Sequence, residues 1–301
     1  MPHLTVTHTT HYAYHRPVGL LRHRLMVRPR DSHDLRLHAA TLDIEPAPAS
    51  TRWAHDIFGN SICLLDWADS TLTDHLRIVS GLDLTHYPSG PTHPHTTLDP
   101  VAEALPFDYP EEEAADLASL TALQHPETGG VVEAWAQDFV SAVPGAGTLA
   151  VLEAMTHAIH DRFVYLPREE EGTQPAAETL ALGSGTCRDF ALLMMEACRS
   201  LGLAARFVSG YLYRGDGGEV QGGGATHAWC AIYLPGAGWV EYDPTNGLIA
   251  GSNLIRVGVA RSPAQAVPVG GGFVGDASDL LSLTVDVTVR VTLDEATANA
   301  A

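Results

Sequence analysis

The chain has little positive charge and no long apolar segment. Its 17 Lys and Arg residues stand against 36 Asp and Glu residues, which gives a formal net charge of −19 at pH 7. Such a charge repels phosphate backbones and anionic lipid surfaces, and no basic stripe follows Arg36 to offset it. No apolar run approaches the roughly 20 residues of a membrane-spanning helix. We therefore expect neither nucleic acid nor a membrane as a partner.

Cysteine is also scarce, and no two cysteines form a CxxC pair: they are Cys63, Cys187, Cys198 and Cys230. The first residues, MPHLTVTHTTHYAYH, lack the cationic start and the apolar stretch of a secretory signal. We therefore expect a cytoplasmic protein without a disulfide framework. Each thiol then serves either as a small apolar core residue or in chemistry.

What the chain does have is the composition of a globular protein, with 301 residues of which 45% are hydrophobic and 18% charged. Period-two alternation of apolar and polar residues predicts a β-rich domain over residues 1–95. The segment Pro88–Pro100 is rich in Pro, Thr and His and can hold neither a helix nor a central strand, so we place the domain boundary there. A second domain is predicted over residues 96–301. Its alternating final segment, about 280–293, is a candidate partner for the N-terminal sheet.

The second domain begins with helix-compatible stretches and continues with a segment that is apolar almost throughout. Apolar residues at helical spacing predict helices over Glu111–Leu123, Val131–Val143 and Leu149–Phe163. A buried helix is predicted from Cys187, closed by Gly202, and three strand-like pieces follow it. We therefore predict an α+β architecture in which a central helix packs on an antiparallel sheet, preceded by the β-rich domain.

Cys187 stands in the first turn of this predicted helix. The unsatisfied backbone N–H groups and the positive end of the helix dipole favour a thiolate there over a thiol. The helix end contributes only about 1 kcal/mol, so a reactive sulfur needs a second group. His227, at the start of a predicted strand, is the candidate because an imidazolium stabilises a neighbouring thiolate. Asp243, at the end of the next strand, is placed to orient that imidazole if the two strands pair.

Three blocks of the sequence, GTCRDFALLM, LGLAARFVSGY and THAWCAIYLPGAGWVEYDPTNG, resemble the core of the transglutaminase-like superfamily, the papain-related cysteine enzymes. The segments HTTHYAYHRPV, RLMVRPRD and DIFGN are similar to the β-rich region that precedes this core in bacterial members. The resemblance implies a papain-like fold, a catalytic Cys187, His227 and Asp243, acyl-enzyme chemistry on amides, and no metal or organic cofactor. The chain departs from the family in a longer loop, RGDGGEVQGGGA, which we expect to line substrate access.

Acyl-enzyme chemistry also needs donors for the oxyanion of the tetrahedral intermediate. The backbone N–H of Cys187 is one donor by position, and Tyr165 and Gln174 are the candidates for the second. Trp229 and Trp239 flank the two predicted site strands. They are either walls of the substrate cleft or aromatic core residues.

We expect a hydrolase that cleaves a peptide or protein amide through a thioester, because the bacterial members of the resembled family generally look like proteases. One alternative is a transglutaminase, in which an amine accepts the acyl group; the three site residues do not distinguish the two. The other is a non-catalytic or metal-binding module, because twelve of the 16 histidines lie in the first hundred residues. The candidate metal ligands are then His8, His11 and His15, or His93 and His95.

Overall fold

The computed structural model describes residues 2–87, 97–124, 129–166, 172–213, 224–249 and 253–293. The strands that come first are β1 (Pro2–Leu20), β2 (His23–Arg28), β3 (Leu35–Glu45), β4 (Ser50–His55), β5 (Ser61–Asp66) and β6 (Leu72–His86). The α-helices are α1 (Glu111–Thr121), α2 (Gly129–Ala142), α3 (Thr148–Arg162), α4 (Ala176–Leu182) and α5 (Cys187–Ser200). The remaining strands are β7 (Val164–Tyr165), β8 (Ser184–Gly185), β9 (Ala205–Leu212), β10 (His227–Leu234), β11 (Gly238–Asp243), β12 (Leu248–Ile249), β13 (Leu254–Ala260), β14 (Val269–Gly270), β15 (Phe273–Val274) and β16 (Leu280–Leu293).

The first part of the chain forms two antiparallel sheets. Strands β15, β1, β6 and β3 form the N-terminal sheet in that order, with β16 also paired to β1, and strands β14, β2, β5 and β4 form a smaller sheet. The alternation in β1 gives the N-terminal sheet its two faces, because Leu4 and Val6 are buried whereas Thr5 and Thr7 are exposed. Strand β16 runs antiparallel beside β1 along most of its length, so the last strand of the chain completes the first sheet.

The second part is built around α5, which packs against an antiparallel core sheet with the strand order β12, β11, β10, β9 and β13. Nearly every residue of α5 is buried, as its apolar composition on all faces requires. The helix ends before Gly202, whose φ of +83° is the left-handed conformation that glycine adopts most readily. A buried ion pair of 2.8 Å between Arg199 and Glu196 lies at its C-terminal end. The predicted central helix on an antiparallel sheet is therefore confirmed.

The N-terminal sheet and the core share one continuous hydrophobic cluster. Two buried histidines also cross the junction: His8 Nδ1 lies 3.0 Å from the Tyr211 hydroxyl, and His86 Nδ1 lies 2.9 Å from the Tyr213 hydroxyl. Burial lowers the pKa of both histidines to about 4, so both rings are neutral near pH 7. These contacts join β1 and β6 to Tyr211 in β9 and to Tyr213 just after it.

Among the described residues, no helix combines the length and the apolar character needed to cross a bilayer.

Candidate active site

The N-terminus of α5 carries Cys187, whose side chain is buried. The turn before it is held by Asp189, a buried carboxylate that accepts hydrogen bonds from the backbone N–H of Thr186 at 2.8 Å and from the Thr186 hydroxyl at 2.8 Å. Asp189 also accepts the backbone N–H of Gln174 at 2.7 Å. Glycine is required at Gly185, because a Cβ there would lie 2.9 Å from the Cβ of Asp189. The sulfur therefore stands on a rigid helix end.

His227 and Asp243 lie at the adjacent ends of the antiparallel neighbours β10 and β11. His227 Nε2 donates a hydrogen bond to Asp243 Oδ2 at 2.8 Å, and both side chains are fully buried. Asp243 Oδ1 accepts the backbone N–H of Thr245 at 3.0 Å, and Asn246 Nδ2 donates to Asp243 Oδ2 at 2.9 Å. Both oxygens of this buried carboxylate thus have donors, as the burial of a charge requires.

The charge state of the pair follows from these contacts. Burial alone would lower the pKa of His227, but the Asp243 carboxylate, helped by the Cys187 thiol, outweighs burial and raises that pKa above its ordinary value of 6.5. Burial likewise opposes ionisation of Asp243, but His227, Asn246 and the Thr245 N–H hold the pKa of Asp243 below its ordinary value. An imidazolium and a carboxylate are therefore paired at neutral pH inside a site shielded from water.

The second ring nitrogen of His227, Nδ1, is not used in the hydrogen bond to Asp243. Nδ1 is buried and has no hydrogen-bond partner of ordinary geometry among the described residues. The Cys187 sulfur is near enough to His227 to raise the pKa of that imidazole. The structure thus brings Cys187, His227 and Asp243 together at one site. A nucleophile, a base and a group that orients the base are built from these residue types.

The two candidates for a second oxyanion donor differ in their surroundings. Burial and the nearby Cys187 thiol raise the pKa of Tyr165 to about 12, so its phenol is a neutral hydrogen-bond donor beside the sulfur. Gln174 is used elsewhere, because its side-chain amide donates to Thr179 Oγ1 at 3.0 Å and to the Ser184 carbonyl at 3.2 Å. Both amide protons of Gln174 are therefore occupied inside the fold. We correct its predicted role to a structural one and keep Tyr165 as the candidate.

The two tryptophans do not form a cleft around the sulfur. Trp229 is fully buried, and its ring stacks on that of His227 with the centroids 5.9 Å apart. It supports the imidazole from inside the core. Trp239 lies 4.1 Å from the Arg206 guanidinium and lines a cavity of about 860 Å³. The described lining of that cavity does not include Cys187. The cleft prediction is therefore corrected for both: Trp229 is aromatic core, and Trp239 borders a separate cavity.

The other three cysteines are core residues. Cys63, Cys198 and Cys230 have no exposed surface. Burial raises the pKa of all three thiols, that of Cys63 to about 11. These thiols are therefore protonated near neutral pH and pack as small apolar core residues.

The histidine set considered as metal ligands in β1 does not converge. His8 is buried against Tyr211, whereas His15 is exposed, and His11 stacks on His75 with ring centroids 6.2 Å apart. The second set, His93 and His95, lies outside the described residues, as does most of the loop before His227 that we expect to line substrate access.

Sequence reasoning misses two residues that hold the site. Asp189, for which the sequence pattern predicts no role, is buried and ties the turn before Cys187 to the helix. Asn246 donates to the carboxylate of Asp243. A signal for Asn246 is present in the sequence, because the turn DPTNG follows the strand directly and asparagine in such turns often bonds its neighbours.

A cysteine at a helix N-terminus, beside a buried imidazole–carboxylate pair at the ends of two sheet strands, has the residue types of a thiol-nucleophile site. Comparison with protein families agrees with this class. Residues 4–84 match the bacterial transglutaminase-like N-terminal region, and residues 133–244 match the transglutaminase-like superfamily. The second match contains Cys187, His227 and Asp243. Residues 133–244 therefore form a transglutaminase-like core, and residues 4–84 match the region that precedes such a core in bacterial members.

Individual relatives extend the likeness over the whole chain. An uncharacterised protein of Mycobacterium tuberculosis, Rv2569c, is 29% identical over 290 residues, covering 94% of this chain and 91% of the relative. The Mycobacterium leprae protein ML0607 is 34% identical over 128 residues, 41% of this chain and 44% of the relative. A proposed cysteine protease from Cytophaga hutchinsonii has a TM-score of 0.69 at 16% identity, covering 97% of this chain and 91% of that chain. The structural likeness confirms the predicted fold, and the family supports cysteine-dependent catalysis.

Proposed function

We propose that the chain is a cysteine-dependent hydrolase of peptide or protein amide bonds. The observation that carries the proposal is the buried 2.8 Å hydrogen bond between His227 and Asp243, beside the helix end that bears Cys187. A buried ion pair is costly to desolvate and is weak support for stability. Its position beside a thiol therefore favours a chemical role. The description of the Cytophaga protein as a proposed cysteine protease agrees with this class of reaction.

The reaction uses the three side chains in order. The Cys187 thiolate attacks the amide carbonyl carbon, a C–S bond forms, and the carbonyl oxygen becomes an oxyanion. His227 gives its Nδ1 proton to the leaving amine as the C–N bond breaks, which leaves a thioester on Cys187. Neutral His227 then takes a proton from water, the water oxygen attacks the thioester, and the C–S bond breaks to release the carboxylic acid. Asp243 keeps Nδ1 directed at the sulfur in both steps.

The oxyanion is stabilised by the backbone N–H of Cys187 and by the hydroxyl of Tyr165. The first N–H groups of a helix have no acceptor within the helix, so the Cys187 N–H is open to a substrate oxygen. Tyr165 remains a donor because its raised pKa, about 12, keeps the phenol protonated. Removal of one such donor costs about 10²- to 10³-fold in kcat in a well-studied hydrolase.

An amine in place of water would turn the same thioester into a transglutaminase intermediate. The site residues serve both acceptors equally, so the product decides between them. The chain offers a clean assay for this decision, because all 17 of its Lys and Arg residues are arginine and no lysine is present. Amine incorporation in the assay therefore reports on the added amine and the substrate, without competition from lysines of the enzyme.

Turnover of a peptide library tests the proposal. The full chain is incubated with glutamine-containing peptides, with and without a labelled primary amine, and the products are weighed by mass spectrometry. We expect hydrolysis products in both reactions. Cys187→Ala should abolish turnover, whereas Cys198→Ala, which removes a buried thiol from the same helix, should retain it.

The other outcomes separate the alternatives. Amine incorporation in place of hydrolysis would assign a transglutaminase. Turnover that survives in a folded Cys187→Ala variant would overturn the thiol mechanism. No turnover, together with alkylation of Cys187 by iodoacetamide no faster than that of the three core thiols, would favour a non-catalytic module.

A further inference from the structure

A cluster of three metal-ligand side chains lies on the N-terminal sheet, apart from the candidate active site. It consists of His3, His38 and Asp83, and one possible ligand atom from each lies within 4.8 Å of the other two. His3 Nε2 is 2.7 Å from Asp83 Oδ1, and the two imidazole rings have centroids 5.7 Å apart. The histidine sets considered in the sequence analysis include neither His3 nor His38. The three residues lie on three different strands, so their proximity is not visible in the sequence.

The cluster occupies the outer face of the sheet. His3 alternates with the buried Leu4, and Asp83 with the buried Leu84, so both side chains point away from the hydrophobic core. The side chains of His3 and Asp83 are 36% and 43% exposed, and an ion from solvent can reach them. Since Cys187 lies in the core, a ligand at this cluster would not touch the candidate catalytic residues.

The backbone holds the three residues close together without any metal. Strand β6 lies between β1 and β3, so Asp83 has a histidine-bearing strand on each side. In the pairing of β3 with β6, Leu37 lies opposite Leu84 and Ala39 lies opposite Asp83, which leaves His38 as the extra residue of a β-bulge. Bulges re-aim side chains and are features that sheets use near functional sites. His38 is further held by a 2.8 Å contact between its Nε2 and Thr85 Oγ1.

The chemistry of the three groups fits a divalent transition metal. Zn²⁺ binds imidazole nitrogen and carboxylate oxygen at about 2.0–2.2 Å, and two histidines with one carboxylate leave a fourth position for water. Hard cations such as Mg²⁺ and Ca²⁺ prefer oxygen ligands, so the imidazole pair selects against them. The net charge of −19 favours any cation near the surface, but only a defined ligand set gives a stoichiometric site.

We propose that His3, His38 and Asp83 bind one zinc-like divalent ion that ties β1, β3 and β6 together. The ion replaces the hydrogen bond between His3 and Asp83 with two metal–ligand bonds and adds a third from His38. Its effect is on the stability of the N-terminal sheet. The ion takes no part in the proposed amide hydrolysis.

Zinc binding is measured on the full, tag-free chain after treatment with a chelator. The Cys187→Ala variant is used, so that the thiol and His227 cannot hold zinc between them. Isothermal titration with Zn²⁺ should give one equivalent per chain, and Co²⁺ should give the visible absorption of a tetrahedral site. Zn²⁺ should also raise the Tm in a saturable way, because it binds the folded state alone.

Three variants decide whether the cluster is the site. Loss of a second-shell partner typically weakens metal binding by about 10- to 100-fold, so loss of a ligand in His38→Ala or Asp83→Asn should weaken it at least as much. The control is His55→Ala, which removes an exposed histidine of strand β4 from outside the cluster. We expect this control to bind zinc as the parent does. Binding of less than one equivalent by the parent, or unchanged binding by a folded His38→Ala variant, would overturn the proposal.

Discussion

Buried histidines in two regions of this molecule differ in charge. His227 in the core and His8 and His86 at the junction with the N-terminal sheet are all at most 4% exposed. The pKa of His227 is nevertheless raised, whereas burial lowers the pKa of His8 and His86 to about 4. Since burial is the same, the partner decides: the Asp243 carboxylate stabilises an imidazolium, and a tyrosine hydroxyl does not.

The two regions therefore depend on pH with opposite signs. The raised pKa of His227 contributes stability that is fully present below the unfolded pKa of 6.5 and is lost as the pH rises through the raised pKa. His8 and His86 must stay neutral in the folded state. Their contribution is lost as the pH falls from 6.5 toward 4, because the unfolded chain takes up these protons first.

Asp243→Asn should have the largest effect, since it gives His227 a neutral partner like that of the junction histidines. In a serine-protease triad the same change costs about 10⁴-fold in kcat, and a thiol nucleophile depends less on its base. We therefore expect kcat/KM for the peptide substrates to fall by roughly 10²- to 10⁴-fold. The pH profile is the second measurement. Its alkaline limb should move to lower pH, because the raised pKa of His227 rests on the carboxylate.

A matched control for this change is Asp276→Asn, which removes an exposed carboxylate outside the site. It should leave both kcat/KM and the pH profile unchanged. An Asp243→Asn variant with reduced activity but an unmoved alkaline limb would show that the carboxylate acts on folding and not on the charge of His227.

Acid stability should report on the junction histidines. A pKa of about 4 in place of 6.5 corresponds to a loss of up to about 3 kcal/mol for each residue between pH 6.5 and 4. The double variant His8→Gln, His86→Gln removes both titrations while keeping polar groups opposite the tyrosines. Its free energy of unfolding, measured with urea at a series of pH values, should therefore fall less steeply over this range than that of the parent chain.

The control for the double variant is a histidine that is exposed to solvent in the folded chain. His55→Gln on strand β4 removes an exposed ring and should leave the slope of unfolding free energy against pH unchanged. If the double variant and the parent lose stability in parallel, then the junction histidines are not the groups that take up protons on unfolding.

The sequence predicts the helix and strands that carry the site better than it predicts which distant strands pair. Helix α5 and strands β10 and β11 follow from local signals: an apolar segment closed by Gly202, and β-rich segments separated by glycine and proline. Long-range pairing has no such signal. Alternation in β16 predicts a strand that pairs with the N-terminal sheet, as it does, but it does not identify β1 as the neighbouring strand.

Within the site, residue type and position predict which side chains lie together. They do not predict which hydrogen-bond donors are already used inside the fold. Cys187, His227 and Asp243 come together as their motif suggests, and their catalytic roles remain predictions. Gln174 has the right chemistry for an oxyanion donor, yet its amide protons are used by Thr179 and by a backbone carbonyl. These hydrogen bonds depend on neighbours in the tertiary structure, which the sequence pattern does not identify.

The smallest effect expected is that of Asn246, which acts on the site through Asp243. Its Nδ2 donates to Asp243 Oδ2 at 2.9 Å, and a hydrogen bond to a charged group contributes about 1.5–3 kcal/mol. Asn246→Ala should therefore lower kcat/KM by roughly 10- to 100-fold while leaving the alkaline limb nearly in place. Thr245→Ala is the matched control, because Thr245 holds Asp243 through its backbone N–H and its buried hydroxyl has no partner among the described residues. Equal kcat/KM values for the two variants would mean that Asn246 does not position the carboxylate.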